Sequence, residues 1–219
     1  MEFFEVVHTQ RSIRKFKAEP VPEEAIWKMT DAAIRAPSGS NTQPWSFLIV
    51  QDPAKKQVLA EAVRARFGDP GEALKEAAAM EDPARRRMRF ASIAFRQDVA
   101  SAPVLIIPCL VSPTSPTSDV NSLFAGSSIY GAVQNMMLAA RAQGLGTVLT
   151  TFNVTLEDLI RSEFGLPDAA KPVAVIPVGY PDGQRFGPTT RKPVESVTHW
   201  DGWGVTRERS SADLERISG

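Results

Sequence analysis

A compact arrangement of helices alternating with a few buried strands is predicted for this 219-residue chain by three observations. Two apolar runs, around Phe47-Leu48-Ile49-Val50 and over Val104–Val111, are of strand length and carry no polar alternation, which suggests burial on both faces. Between them and after them lie stretches with helical spacing of apolar residues. No internal repeat or shift in composition divides the chain, so residues 1–219 are expected to form a single domain.

Each element has its own signal. Residues 2–10 place Phe3, Val6 and Val7 at helical spacing, which puts Arg11 to Arg14 at or just beyond a helix C-terminus, where cations are favourable. Residues 22–36 form a second helix, with Pro22 in the first turn, Glu23 and Glu24 at its positive end, and Ile26, Met29, Ala33 and Ile34 on one face. Pro37 stops it, and residues 46–51 follow as a strand. From 53 to 98 the chain is rich in Ala, Arg, Glu and Lys and is broken at Gly68-Asp69-Pro70-Gly71 and Asp82-Pro83, giving two or three helices. Val104–Val111 is a second strand, and 112–118 is a turn-rich loop. Residues 120–143 predict a long helix with apolar or small residues around most of its circumference, among them Leu123, Phe124, Ile129, Val133, Met136, Met137 and Leu138. Polar residues interrupt it too often for a membrane span, so it is expected to be a central helix in the core or in a subunit interface, with the Met pair as core filler. A third strand is expected over 147–152, a short helix over 156–164 and a fourth strand over 172–180. The tail from 182 onward is polar and turn-rich, and Trp200 and Trp203 are expected to pack against another surface.

Composition excludes several functions. Lys plus Arg and Asp plus Glu both number 25, so no global basic field recruits nucleic acid or an anionic membrane. One cysteine, Cys109, allows no intrachain disulfide, and the start of the chain lacks a signal-peptide pattern, so a cytoplasmic location is expected. Two histidines and one cysteine offer no metal-site spacing. Gly144-Leu145-Gly146 follows a helix and lacks the third glycine of a dinucleotide fingerprint. There is no Walker motif and no Gly-x-Ser-x-Gly, and neither His8 nor His199 has a partner pattern that marks a hydrolase.

Two segments stand out as candidate binding residues. Arg11-Ser12-Ile13-Arg14 carries two guanidiniums at i and i+3 with a hydroxyl between them, a set suited to bidentate recognition of a phosphate. Its bland alternative is a solvated basic helix end. Pro37-Ser38-Gly39-Ser40-Asn41-Thr42-Gln43-Pro44-Trp45 offers hydroxyl and amide groups suited to the edge of a heteroaromatic ring, or else an ordinary cluster of turns. The cluster Arg85, Arg86, Arg87 and Arg89 is either a contact for the phosphate of a nicotinamide nucleotide or a solvated helix face.

Taken together with Ser128-Ile129-Tyr130-Gly131-Ala132-Val133-Gln134-Asn135, Ala139-Ala140-Arg141-Ala142-Gln143-Gly144-Leu145-Gly146-Thr147, Pro177-Val178-Gly179-Tyr180-Pro181 and Arg191-Lys192-Pro193, these segments resemble the flavin-dependent nitroreductase family from Phe3 to Trp203. The resemblance implies an α+β, three-layer fold with a mostly antiparallel central sheet, where strand–helix alternation alone points to a parallel one. It further implies a homodimer with two FMN sites at the interface and a C-terminal arm at about 182–219 that crosses to the partner; the stretch at about 64–98, set between core strands, charged and turn-broken, is expected to be a helical lid that sets acceptor choice. Carried over to this sequence, Arg11, Ser12, Ile13 and Arg14 hold the FMN phosphate and ribityl end with Arg191, while Pro37, Ser38, Gly39, Asn41 and Gln43 line the isoalloxazine, with the partner subunit as their expected source. Leu149, Thr150 and Thr151 resemble a segment that passes the flavin N5 edge in the deiodinase-like branch, with Thr151 as a hydrogen-bond donor to N5, although Phe152 stands where that branch often has Pro. The implied activity is FMN-dependent reduction of small acceptors, such as nitroaromatics or quinones, by NAD(P)H in a ping-pong cycle with hydride transfer through N5. A reductive dehalogenase, a flavin-destroying enzyme and a non-catalytic flavin-binding or redox-sensing module are the alternatives.

Overall fold

A computed structural model describes residues 1–111, 123–183 and 185–209. The turn-rich segment at 112–118, the expected first turn of the long helix at 120–122, the side chains of Leu123 and Phe124, and residues 210–219 of the expected arm lie outside what is described. The chain divides into two compact units, Met1–Gly187 and Pro188–Gly219.

The first unit holds seven helices among its described residues: α1 (Phe3–Thr9), α2 (Glu23–Ala33), α3 (Pro53–Phe67), α4 (Gly71–Ala78), α5 (Pro83–Gln97), α6 (Leu123–Ala142) and α7 (Asn153–Phe164). Its strands are β1 (Trp45–Val50), β2 (Val104–Val111), β3 (Gly146–Thr147), β4 (Ala170–Pro172) and β5 (Ile176–Gly179). α3 and α5 start the same way, from an Asp-Pro pair. Asp52 accepts hydrogen bonds from the amides of Ala54 (2.8 Å) and Lys55 (3.1 Å), and Asp82 from those of Ala84 (2.8 Å) and Arg85 (3.3 Å). These capping bonds satisfy amides that the first turn leaves without partners, and those at Asp82 hold its carboxyl below the usual carboxylate range.

The sheet runs β1-β2-β5-β3, and every strand pair in it is antiparallel. Alternation of strands and helices therefore misleads about direction. A sheet covered on both faces yields apolar strands in either arrangement, and the sense of a crossover leaves no mark in the residue pattern. β2 sorts its side chains strictly by parity: Leu105, Ile107 and Cys109 join Leu59, Val63, Phe95, Phe152 and Ile160 on one face. Val104 and Ile106 join Met29, Ala33, Val133, Met136 and Ala140 on the other. Three layers result, with α3, α5 and α7 on one side and α2 and α6 on the other.

Two strands depart from expectation. The third is only Gly146–Thr147, because Thr150 leaves β3 to bridge Val175. The fourth is broken into β4 and β5, which pair with opposite ends of β2 on the same edge, while the Val173 amide between them still donates to the Pro108 carbonyl at 2.9 Å. The short helix begins at Asn153, before the expected 156. α6 is the central helix expected: Ile129, Val133, Met136, Met137 and Ala140 are buried, the Met pair among them, and Tyr130 is exposed. Near its C-terminus the buried Arg141 donates to Thr9 Oγ1 at 2.9 Å and stacks on Phe186, fixing α1 there. No helix among the described residues is long and apolar enough to cross a membrane.

The second unit is a small knot of turns. A 3₁₀ turn at Val194–Val197 carries Glu195, which accepts from Arg209. The His199 ring lies 4.5 Å from that of Trp203, and the Arg207 guanidinium stacks 4.3 Å over Trp200. Trp203 is 93% exposed, so its expected packing partner is not supplied by the described residues of this chain.

Candidate active site

The strip after α1 lies along the free edge of β3. Ser12 bridges Thr147, the one parallel pairing among the described residues, and the Ile13 amide donates to the Thr147 carbonyl at 2.9 Å. Farther along, the Lys17 amide donates to Tyr180 (2.9 Å) and the Asp182 amide to Lys15 (3.0 Å), while Lys15 pairs with Asp182 at 2.7 Å. Ile13 is fully buried and Phe16 nearly so. Two glycines make the room. A Cβ on Gly146 would sit 2.7 Å from three carbons of Ile13, and one on Gly179 would sit 2.7 Å from Pro103 Cδ and 3.1 Å from Phe16. Burying Ile13 and Phe16 turns Arg11 and Ser12 outward and leaves Arg14 half-buried. Burial first, and then the charges of Arg11 and Arg96, lower the pKa of Arg14.

Arg14 and the segment Leu149, Thr150 and Thr151 line one cleft of about 390 Å3, so two segments far apart in sequence meet. Thr150 is committed to the scaffold: it exchanges backbone bonds with Val175 (3.1 and 3.2 Å), and its hydroxyl donates to the Val175 carbonyl at 2.7 Å. Thr151 is exposed on the cleft wall. Phe152 has φ −60, an angle that proline also holds, and its ring stacks on Phe95 with centroids 6.1 Å apart. Phe152 thus holds a backbone angle open to proline while its ring packs into the core at the cleft.

The other wall comes from α3 and α5, with Arg66, Phe67, Ser92, Phe95 and Arg96. Sequence reasoning places 64–98 as a lid but misses Arg66, Ser92 and Arg96 as individual wall residues. A signal exists: Arg85, Arg89, Ser92 and Arg96 fall at i, i+4, i+7 and i+11, a single helix face. A second cleft of about 300 Å3 carries Arg14, Met80, Arg85, Met88, Arg89 and Ser92. The cluster at 85–89 is therefore split, and Arg86 instead donates to the Met80 carbonyl at 3.3 Å.

The 37–43 loop does not line either cleft among the described residues. Ser38 Oγ accepts from the Gln43 amide at 3.0 Å, the Asn41 amide donates to Ser38 and the Thr42 amide to Gly39, both at 3.0 Å, and the Gly39 amide donates to Ser128 Oγ on α6 at 3.3 Å. Ser40, Asn41 and Gln43 have φ of 50, 53 and 49, left-handed values that non-glycine residues seldom adopt. A Cβ on Gly39 would meet nothing within 4 Å. The loop leads into β1 at one end of the sheet order, whereas the strip lies beyond β3 at the other. Four inter-strand steps separate them by roughly 19 Å across the sheet. Along β2 the strip's row reaches Val104 while Pro44 bonds Val111, roughly a further 24 Å at strand rise. Arg191 belongs to the second unit, where its guanidinium donates to the Thr190 carbonyl at 2.9 Å.

The Nitroreductase family model matches residues 7–180, from α1 through β5. The chain belongs to the nitroreductase family. Relatives include an NADH dehydrogenase of Thermus thermophilus, 29% identical over 87% of this chain and 92% of that protein, and iodotyrosine deiodinase 1 of Rattus norvegicus, 28% identical over 90% of this chain and 68% of that protein. Among solved structures, the FMN and NADPH-dependent nitroreductase NfnB from Sphigopyxis sp. strain HMH superposes with a TM-score of 0.69 at 24% identity, covering 93% of this chain and 100% of that one, a likeness of fold. The relatives of this chain thus include an NADH dehydrogenase and a deiodinase, and the α+β, antiparallel architecture is the one the family resemblance implied.

Proposed function

We propose that the chain is an FMN-dependent NAD(P)H oxidoreductase that reduces small activated acceptors such as nitroaromatics or quinones, and that it works as a homodimer in the cytoplasm. The observation that carries the dimer is the separation of the two candidate walls. The strip and the 37–43 loop lie at opposite edges and opposite ends of the sheet, farther apart than one flavin reaches, so a second copy supplies the loop to each strip.

The residues fit FMN. Cationic and hydroxyl groups gather at the strip, a cleft continues from Arg14 to Thr151, and the loop combines three strained backbone positions with open space over Gly39. Arg11, Ser12 and Arg14 would hold the phosphate and ribityl end together with Arg191, and Ile13 anchors the strip beneath. Pro37, Ser38, Gly39, Asn41 and Gln43 of the partner copy line the isoalloxazine. When bound there, FMN would supply the hydride chemistry between NAD(P)H and the acceptor. Leu149 and Thr151 would border the reactive edge of the ring, and the Thr151 hydroxyl would be the donor to it, because that of Thr150 is spent on Val175. The helices of 64–98 act as a lid that keeps water from the reacting face and contacts the acceptor. The arm from about 182, including the second unit, crosses to the partner and covers Trp200 and Trp203.

Purified protein tests the reading directly. It should be yellow, bleach anaerobically with NADH or NADPH, and recolour when a quinone or nitroaromatic is added. Yellow protein that neither nicotinamide bleaches would reduce it to a flavin-binding module, and failure to take up FMN would end both readings. Arg11→Ala or Arg191→Ala should weaken FMN binding about ten- to a hundredfold, the size of a lost charged hydrogen bond, while the dimer persists in sedimentation.

A further inference from the structure

The lid helix α5 presents a row of cations to the site. Arg85, Arg89, Ser92 and Arg96 share one face, and all four line the two clefts that meet at Arg14 and Ser92. The stripe is about 16 Å long at helical rise, so a single phosphate at the Arg14 end cannot occupy all of it. No carboxylate lies among the described lining residues of either cleft. The outlying partners are loose and exposed: Glu76 stands 3.8 Å from Arg89, and Asp82 stands 3.7 Å from Arg85. Such pairs contribute little and do not consume the field. Burial first, and then neighbouring guanidiniums, depress these groups: Arg89 acts on Arg96, and Arg11 and then Arg96 on Arg14. A cluster that raises its own electrostatic cost is relieved by a bound anion. Apolar groups accompany the charges. Met80 and Met88 line the second cleft, and in the first the Arg96 guanidinium lies 4.1 Å over the Phe67 ring, which holds its donors in a fixed plane.

We propose that this stripe binds the carboxylate or phosphate of the visiting substrate, selecting aromatic substrates that carry an anionic group. The proposal rests on the oxidoreductase reading and adds a substrate class to it. A zwitterionic amino acid fits poorly, because its ammonium would face Arg14, Arg66, Arg89 and Arg96 with no carboxylate among the described lining residues. Either the acceptor or the ribose phosphate of NADPH can provide the anion.

Calorimetric titration of the FMN-loaded protein with 4-nitrobenzoate and with 4-nitrobenzamide, which are close in shape but differ in charge, tests it without requiring turnover. The carboxylate should bind about ten- to a hundredfold tighter. That advantage should shrink with added salt, collapse in Arg89→Gln/Arg96→Gln, and survive in Arg89→Lys/Arg96→Lys. A second titration compares NADP+ with NAD+, which differ by the same ribose phosphate and cannot reduce the flavin. If the charge advantage belongs to the nucleotide pair alone, the anion is the ribose phosphate; if to the benzoate pair, it is the acceptor's. Equal affinities within both pairs, or an advantage undiminished in the Gln variant, would overturn the proposal. Failure of the parent reading shows separately, as yellow protein that NAD(P)H does not bleach. Should the double Gln variant not fold, the salt dependence of the native protein decides, and a salt-independent preference counts against the stripe.

Discussion

The strip at 11–16 and the loop at 37–43 differ in what holds them in place. The strip is part of the core: Ile13 and Phe16 are buried, its backbone is tied to Thr147 and Tyr180, and Gly146 across from it has no room for a side chain because Ile13 is there. The loop is exposed and held by its own turn bonds and one bond to Ser128. A site wall of the first kind is as rigid as the sheet. One of the second kind carries its strain locally and is completed from outside its own chain, as the dimer proposal requires.

Perturbing the strip should cost the most. Ile13→Ala should destabilise the protein by about 2–5 kcal/mol, read from denaturant midpoints. Gly146→Ala should cost about 1–3 kcal/mol by overpacking against Ile13. The double variant should cost less than the sum, because removing the Ile13 side chain makes room for the new methyl. Strict additivity would mean that Gly146 is not small on account of the strip. At the loop, Ser128→Ala should lower global stability by no more than about 1 kcal/mol while weakening FMN binding, since it frees Gly39 and little else. Gln43→Gly should have the opposite sign, raising the thermal midpoint slightly as the left-handed strain is relieved, again with weaker flavin binding. A loop variant that unfolds the protein as Ile13→Ala does would erase the contrast. The smallest effect is at Cys109, on the sheet between the two walls, where burial pushes the thiol up to about 11 from 9.0. It should resist alkylation in the native state at mildly alkaline pH. Because its folded value is the higher one, its contribution to stability is complete below pH 9.0 and is lost as pH rises toward about 11, which alkaline denaturant titrations of the native protein and Cys109→Ala would resolve.

Much of the architecture is legible from side-chain period alone. Val104–Val111 stands out at its full length because all but its last residue are buried, and α2 and α6 stand out from their apolar stripes. Strand direction is not legible, since buried runs look alike in both senses. Nor is the break between β4 and β5, where Val173, Ala174, Val175 and Ile176 remain apolar through a change of partner. At the site, Arg14 and Leu149 to Thr151 are separate candidates in the sequence and meet in one cleft. Arg66 and Arg96 escape notice because isolated arginines on charged helices ordinarily face water. The division of labour between Thr150 and Thr151 depends on the Val175 carbonyl, a partner 25 residues away that no local pattern reveals.

The placement of the two walls at opposite edges has a genetic consequence. In the proposed dimer each flavin site takes its strip from one copy and its loop from the other. A chain carrying Arg11→Ala and a chain carrying a damaged 37–43 loop would each be defective alone. Mixed, they would form dimers in which both injuries fall in one site and the other is intact. Two inactive alleles would then complement each other, although neither chain supplies anything that the other lacks in kind.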